Sequence, residues 1–439
     1  MTSLRTTDIK TAIDKGNKKA LLGAWLGFYV DLFDIYLPVI VLAPALVYFQ
    51  ATGVSTKEIA LITGSIFAAT LIGRPLGAFI FGSLSDKYGR RRITVTSITG
   101  FGLVTLLIGL LPGYKQIGIL AVILLISLRF IDGVFLGGQY TSATPTALEQ
   151  SPKDKRGRNG AIISTGFPLA YLSIALITLG LLHIFPAAGI NSPYVQWGWR
   201  IPFFVGSGIS VGFAIWYHHN VHDSEAWLKS EKVKTPLREL LKGKSGRNLL
   251  QVFVLTTGLW FTSYMLTTVL PGLMKTEAKL SPTEITLALL IASSLVIAVY
   301  LGSGLLSQRF GRRPILIVGG LLCLFIAPIP YTLIASGKVH SFGSVLLLLI
   351  LVTVLISVPW GCITTYLNER FALGVRSSGY GVGYSLGMIV PAFYVYFQTG
   401  LSAFIPLQYT AVVILCVGGF LTLVGSLLSP ETRDVDMSS

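Results

Sequence analysis

Gly82-Ser83-Leu84-Ser85-Asp86-Lys87-Tyr88-Gly89-Arg90-Arg91 returns 222 residues later as Gly304-Leu305-Leu306-Ser307-Gln308-Arg309-Phe310-Gly311-Arg312-Arg313. A second pair keeps nearly the same offset. Glu149 and Arg156 stand seven residues apart, and Glu369 and Arg376 repeat that spacing 220 residues on. Two independent motifs at nearly one displacement mark an internal duplication. Each copy covers about 220 residues, so the two together fill the 439-residue chain.

Both stretches lie between long apolar runs. Only 12% of the chain is charged, about half the share in a soluble protein, and the mean hydropathy is +0.71. Twelve runs are long enough to cross a hydrocarbon layer of roughly 30 Å. They fall at 20–47, 58–84, 92–112, 117–141, 160–184, 199–218, 249–272, 284–307, 314–336, 342–367, 377–399 and 405–428. The expected fold is therefore an all-α integral membrane protein, with twelve transmembrane helices in two six-helix pseudo-symmetric bundles. The bundles would cover 1–218 and 248–439, joined by a cytoplasmic linker over 219–247. That linker is the only sizeable polar segment, which leaves no room for a separate catalytic domain.

The net charge of +15 is not spread as a nucleic-acid-binding surface would be. Of the 34 Lys and Arg, 26 fall in the termini and in the loops on one side, six fall on the other side, and two lie inside spans. Basic loops stay cytoplasmic, so both termini are expected inside, in a multi-pass protein of the cell membrane. The first span is too long for the apolar region of a signal peptide and carries two aspartates, so it reads as retained. Cys323, Cys362 and Cys416 all sit in spans and suggest neither a disulfide framework nor a metal site. No cofactor is expected.

Parallel six-helix repeats with a site between them describe one large transporter architecture. The loop at 82–91 resembles the major facilitator superfamily, matching its G-x-L-x-D-x-x-G-R-R motif at every specified position. Within that superfamily, several stretches resemble the metabolite:proton symporters. They are Arg74-Pro75-Leu76-Gly77, Trp197-Gly198-Trp199-Arg200-Ile201-Pro202-Phe203, Leu128-Arg129-Phe130-Ile131-Asp132-Gly133 with Gly137-Gly138-Gln139, and Tyr366-Leu367-Asn368-Glu369-Arg370-Phe371 running to Val375-Arg376. Asp132 stands where that family usually has Gln, and Gln139 where it has Glu. Asp31-Leu32-Phe33-Asp34 replaces the usual Glu-x-x-Asp and, with Ala43-Pro44-Ala45-Leu46, is similar to aromatic-acid:proton symporters. The sugar porters place a Trp just before the Glu369 position, whereas Trp360 lies nine residues before it.

The resemblance implies that Gly82, Asp86, Gly89, Arg90 and Arg91 form a cytoplasmic gate with Glu149, Arg156, Arg312, Glu369 and Arg376. The chemistry of these residue types agrees. Gly82 permits close helix approach, Asp86 can accept from backbone N–H groups at a helix N-terminus, and Gly89 permits a tight turn. The bland alternative is that these charges only set topology.

Ionisable residues inside spans are costly and are functional candidates by default. Five are present: Asp31 and Asp34 in span 1, Arg74 in span 2, and Arg129 and Asp132 in span 4. All belong to the first half. Each same-span pair is three residues apart, which puts both members on one helix face. By resemblance to sugar porters, Asp34 is the proton carrier and Arg129 its partner, with Asp31 and Asp132 as further members of the proton-coupling set. A static salt bridge fixing helix packing is the competing reading. For substrate contact the expected residues are Tyr264, Trp360, Trp260, Gln139, Tyr384 and Arg74. Aromatic residues in spans more often pack or anchor at interfaces. Ser164, Thr165 and Thr364 are further polar candidates, while His218, His219 and His222 read as loop charge.

The expected function is proton-coupled symport of a small organic acid or similar polar metabolite by alternating access, by a monomer with no enzymatic activity. Its partners are the substrate, protons and the lipid bilayer, not nucleic acid. The alternatives are a sugar or polyol:proton symporter, or a non-transporting membrane sensor of transporter fold.

Overall fold

A computed structural model describes residues 2–51, 53, 56–187, 189–229 and 236–437. The middle of the expected linker, 230–235, lies outside the described residues. All regular structure among the described residues is helical. Among the described residues, ten helices are long and apolar enough to cross a membrane. They are α2 (Thr56–Tyr88), α3 (Arg90–Gly109), α4 (Leu120–Glu149), α5 (Lys153–Ile184), α6 (Tyr194–Asn220), α7 (Gly243–Thr276), α8 (Pro282–Phe310), α9 (Arg312–Ala335), α10 (Phe342–Glu369) and α12 (Leu407–Leu427).

The other two of the twelve spans depart from uniform apolar helices for visible reasons. α1 (Thr2–Tyr36) runs from a polar, basic start into the span that holds Asp31 and Asp34. α11 is broken by Phe393 into Arg376–Ala392 and Tyr394–Leu401, two residues after Pro391. Proline also marks the other irregular points, because it withdraws a backbone donor and clashes with the preceding turn. A π-type turn follows α1 at Leu37–Val41, around Pro38. Others precede Pro271 in α7, at Met265–Val269, and Pro328 in α9, at Leu322–Ile326. α10 is interrupted between Ser357 and Trp360, at Pro359.

The solvent for these helices is lipid. Leu107, Ile123, Leu176, Ile215, Leu250, Leu347 and Phe420 are each half or more exposed. In water such a surface would aggregate. In hydrocarbon it is the expected exterior, because helices satisfy every backbone donor and acceptor internally.

The chain divides into two compact units. The first holds Met1–Gln150 and Ala170–Pro236, and the second holds Ser151–Leu169 and Leu237–Ser439. The first turns of α5 thus pack with α8 and α10 of the second unit, and α5 itself is interrupted at Thr165, three residues before Pro168.

In the first unit the tightest helix pair is α2 with α4. Gly73 and Gly77 of α2 face the backbone of Phe130 and Val134, while Gly133 and Gly137 of α4 face the backbone of Thr70 and Arg74. Glycines four apart on both helices let the two backbones touch. That close approach brings Thr70 and Arg74 of α2 alongside the charged face of α4, and so builds the site.

Candidate functional site

All five ionisable residues expected inside the spans meet in the first unit, and none is more than 3% exposed. They form two linked groups. In one, the Arg74 guanidinium grips Asp31 with both Nη atoms, at 2.8 and 3.0 Å. Its Cζ lies 4.8 Å from the ring centroid of Tyr140, which adds a cation–π contact. In the other, Arg129 is shared by two carboxylates. Its Nη1 stands 3.2 Å from Asp34 Oδ2 and 3.2 Å from Asp132 Oδ2.

Arg129 is fixed by further donors and acceptors. Its Nε donates to Thr70 Oγ1 at 3.1 Å, and its Nη2 donates to the Asp34 carbonyl at 3.1 Å. The Thr105 hydroxyl of α3 donates to Asp34 Oδ1 at 2.5 Å. Asp132 is less well served: no described residue is aligned to donate a hydrogen bond to either of its oxygens. Three carboxylates therefore oppose two guanidiniums. With all five ionised, the group carries one net negative charge out of water.

Gln139, seven residues beyond Asp132 on α4, is fully buried, and neither its amide nitrogen nor its amide oxygen has a hydrogen-bond partner among the described residues. The room it occupies exists because residue 27 of α1 is glycine; a Cβ there would collide with the Gln139 side chain.

The second unit gathers four of the expected substrate residues into one aromatic group. Trp260 of α7 lies 4.9 Å from Trp360 of α10, 5.3 Å from Tyr384 of α11 and 5.6 Å from Tyr264, centroid to centroid. The Trp260 indole N–H donates to the Tyr384 carbonyl at 3.1 Å, which pins the ring. Ser164 and Thr364 are hydrogen-bonded to each other at 2.9 Å, so packing accounts for both.

The repeated loop motif builds one charge network in each unit. In the first, Arg90 is paired with Glu149, and Asp86 stands 3.9 Å away. The Ser224 hydroxyl donates to Glu149 at 2.5 Å. In the second, Arg312 grips Glu369 at 3.0 and 3.1 Å, and the Thr432 hydroxyl donates to Glu369 at 2.8 Å. Gly89 and Gly311, at φ +109° and +105°, make the same turn. That conformation favours glycine.

The carboxylate that meets the open N-terminus of α3 is not Asp86 but Asp223, which accepts from the backbone N–H groups of Arg90 and Arg91, both at 2.8 Å. Glu431 does the same for Arg312 and Arg313 at the start of α9, at 2.9 and 3.1 Å. Sequence reasoning missed both residues. The signal was present as Asp223-Ser224 and Glu431-Thr432, an acid followed by a hydroxyl after the last span of each half.

The remaining gate candidates bind backbone carbonyls. Arg91 reaches the His218 carbonyl. Arg156 donates to the Val435 carbonyl at 2.8 Å, and Arg376 donates to Asn368, Phe371 and Met437 at 3.1, 3.2 and 2.9 Å. Gly82 is buried in α2.

The family model described as Major Facilitator Superfamily matches residues 24–395. The chain belongs to that superfamily. It is 30% identical over 397 residues to a proline/betaine transporter of Salmonella typhimurium, covering 87% of this chain and 77% of the relative. It is 29% identical over 402 residues to a shikimate transporter of Escherichia coli, covering 88% and 89%. A solved structure of the proton:xylose symporter XylE, bound to 6-bromo-6-deoxy-D-glucose, superposes with a TM-score of 0.76 at 18% identity, covering 97% and 98%. At that identity the likeness concerns the fold. This superfamily member is a multi-pass membrane transporter of small metabolites, not an enzyme.

Proposed function

We infer that this transporter is a proton-coupled symporter of small carboxylates, organic acids or zwitterions, in the cell membrane. In this reading it works as a monomer, with both termini in the cytoplasm. One observation carries the proton coupling: a buried group in which three carboxylates face two guanidiniums. A net charge in hydrocarbon is expensive, and a single proton removes it. The two carboxylates on Arg129 compete for one guanidinium, so the proton belongs to the Asp34–Asp132 pair. Asp132 shares Arg129 with Asp34 and has no aligned donor among the described residues. Protonation also frees part of Arg129, which couples the charge state to the α1–α4 contact. The carboxylate class draws on the relatives, both named for molecules that carry that group.

Uptake into proteoliposomes, with and without an inward proton gradient, tests the reading over a panel of carboxylates, zwitterions and sugars. Gradient-stimulated uptake of a carboxylate or zwitterion is expected, with acidification of the lumen. In Asp34→Asn the gradient-driven uptake should disappear while counterflow exchange remains. Unchanged gradient-driven uptake in that variant would refute the coupling. Stimulated uptake confined to sugars would refute the substrate class.

A further inference from the structure

The exposed faces of α3 and α6 run through apolar residues and end in basic ones. On α3, Arg92, Thr96, Leu103 and Leu107 are exposed at spacings of four, seven and four, which is one helix face. On α6, Ile201, Val205, Ile209, Gly212, Ile215 and His219 are exposed at spacings of three and four. The apolar parts of both stripes meet hydrocarbon, so Arg92 and His219 stand where acyl chains give way to headgroups. The two helices pack along this length. Gly102 of α3 lies against Ser210 of α6, and Gly109 lies against Phe203 and Phe204. The stripes therefore flank one seam.

At the basic end of that seam, Arg91 reaches the His218 carbonyl. The His218 and His219 rings lie 5.2 Å apart, edge to face. Arg91 Nε has no hydrogen-bond partner among the described residues. The acids of the segment that follows α6 are committed elsewhere: Asp223 to the backbone N–H groups of Arg90 and Arg91, and Glu225 to Lys229. Among the described residues, no ion pair includes Arg91, Arg92, His218 or His219.

The second unit repeats the scaffold without the chemistry. Arg313 stands in the place of Arg91 and donates to the Leu427 carbonyl. Pro314 replaces Arg92, and Leu428 replaces His219. Leu427 and Leu428 are both half or more exposed. The duplicated geometry thus forms equally well with an apolar ending, and neither the helix contact nor its hydrogen bond requires the basic side chains of the first unit.

What those side chains fit is an anion at the edge of hydrocarbon. A guanidinium matches phosphate oxygens, and an imidazole N–H adds a donor beside it. Basic residues next to a membrane draw anionic lipid, whereas the headgroup of a zwitterionic lipid brings a cation of its own. We propose that Arg91, Arg92, His218 and His219 form a headgroup site for an anionic phospholipid, whose acyl chains lie along the seam between α3 and α6.

Native mass spectrometry of the purified full-length protein, titrated in detergent with phosphatidylglycerol or phosphatidylcholine of the same chains, tests this on the first lipid bound. Phosphatidylglycerol should bind at least tenfold tighter, about 1.4 kcal/mol. Arg92→Gln should cut that ratio about fivefold, the share of one basic group at a membrane surface. Adding His219→Leu, which copies the ending of the second unit, should remove most of the rest. Arg313→Gln should leave the ratio unchanged. Equal binding of the two lipids to the unaltered protein overturns the proposal without any variant. So does an equal loss in Arg92→Gln and Arg313→Gln, which would make net charge alone the cause. Glycerophosphoglycerol, the same headgroup without chains, should not displace the lipid in equimolar amounts. Displacement there would assign the site to a soluble phosphate ester and overturn the lipid.

Discussion

Arg74→Met isolates the Asp31 carboxylate inside the first unit. Arg74 and Asp31 are both 0% exposed, and both Asp31 oxygens are bound by the guanidinium, at 2.8 and 3.0 Å. At a charge separation of roughly 4 Å and an effective dielectric near 20, the lost attraction is about 4 kcal/mol. That agrees with the 3–5 kcal/mol typical of removing one partner from a buried pair. Methionine preserves much of the stem, so lost packing is a minor part of the change, although the contact with Tyr140 also goes. The double variant Asp31→Asn/Arg74→Met removes both charges together and should recover most of the loss. Thermal stability of the detergent-solubilised variants, read by size exclusion after heating, gives the ranking: Arg74→Met lowest, the double variant near the unaltered protein. If Arg74→Met is as stable as the unaltered protein, the pair contributes nothing and the argument fails. If the double variant is as unstable as the single, charge isolation is not the cause. Retained proton-driven uptake in the double variant would further assign coupling to the Asp34–Asp132 pair rather than to Asp31.

Asp132→Asn leaves two carboxylates opposite two guanidiniums, so the buried group is neutral without a proton. Initial uptake rates should lose their dependence on external pH while exchange persists; an unchanged pH profile would place the proton elsewhere. Gly77→Val sets side-chain atoms against the Val134 backbone of α4, and the α2–α4 crossing cannot widen without parting Arg129 from Thr70. Little folded protein should reach the membrane, whereas Gly64→Ala, with open space around it, should express normally. Glu431→Ala removes the acceptor for Arg312 and Arg313 at the start of α9. Losing such a cap costs about 0.5–2 kcal/mol, which should appear as earlier thermal inactivation, with Glu431→Asp milder than Glu431→Ala. At the end of the chain, Lys153 and then Arg433 hold the Asp434 carboxyl below its ordinary value. A depressed folded-state value means that this tether is complete above the usual Asp range near 4 and is released as pH falls through the lower value. Protease access to the C-terminal tail should thus stay constant between pH 6 and 8, and Asp434→Asn should raise it across that range.

The membrane class, the spans and the duplication were legible in the sequence because each depends on local composition or on a repeat distance. A run of twenty apolar residues has few options in a bilayer, and a motif returning at 222 residues carries its structure with it. The five charges inside spans were legible for the same reason: they are rare in hydrocarbon and therefore conspicuous. The three-residue spacing put Asp31 with Asp34, and Arg129 with Asp132, on one face of their helices.

What the tertiary structure decided is which of them meet. Asp31 and Arg74 belong to different helices, and spacing along one helix says nothing about contacts with another. That pair joins α1 to α2. Asp223 and Glu431 reach back across 132 and 118 residues to the helix starts at Arg90–Arg91 and Arg312–Arg313, although in sequence they look like ordinary loop charges. Trp260, Trp360 and Tyr384 come from three separate helices, and no sequence period connects them. Local chemistry determined that charges would be buried and that aromatic residues would line spans. Only the packing of helix against helix determined that two carboxylates would share one guanidinium, and that three rings from separate helices would pack edge to face.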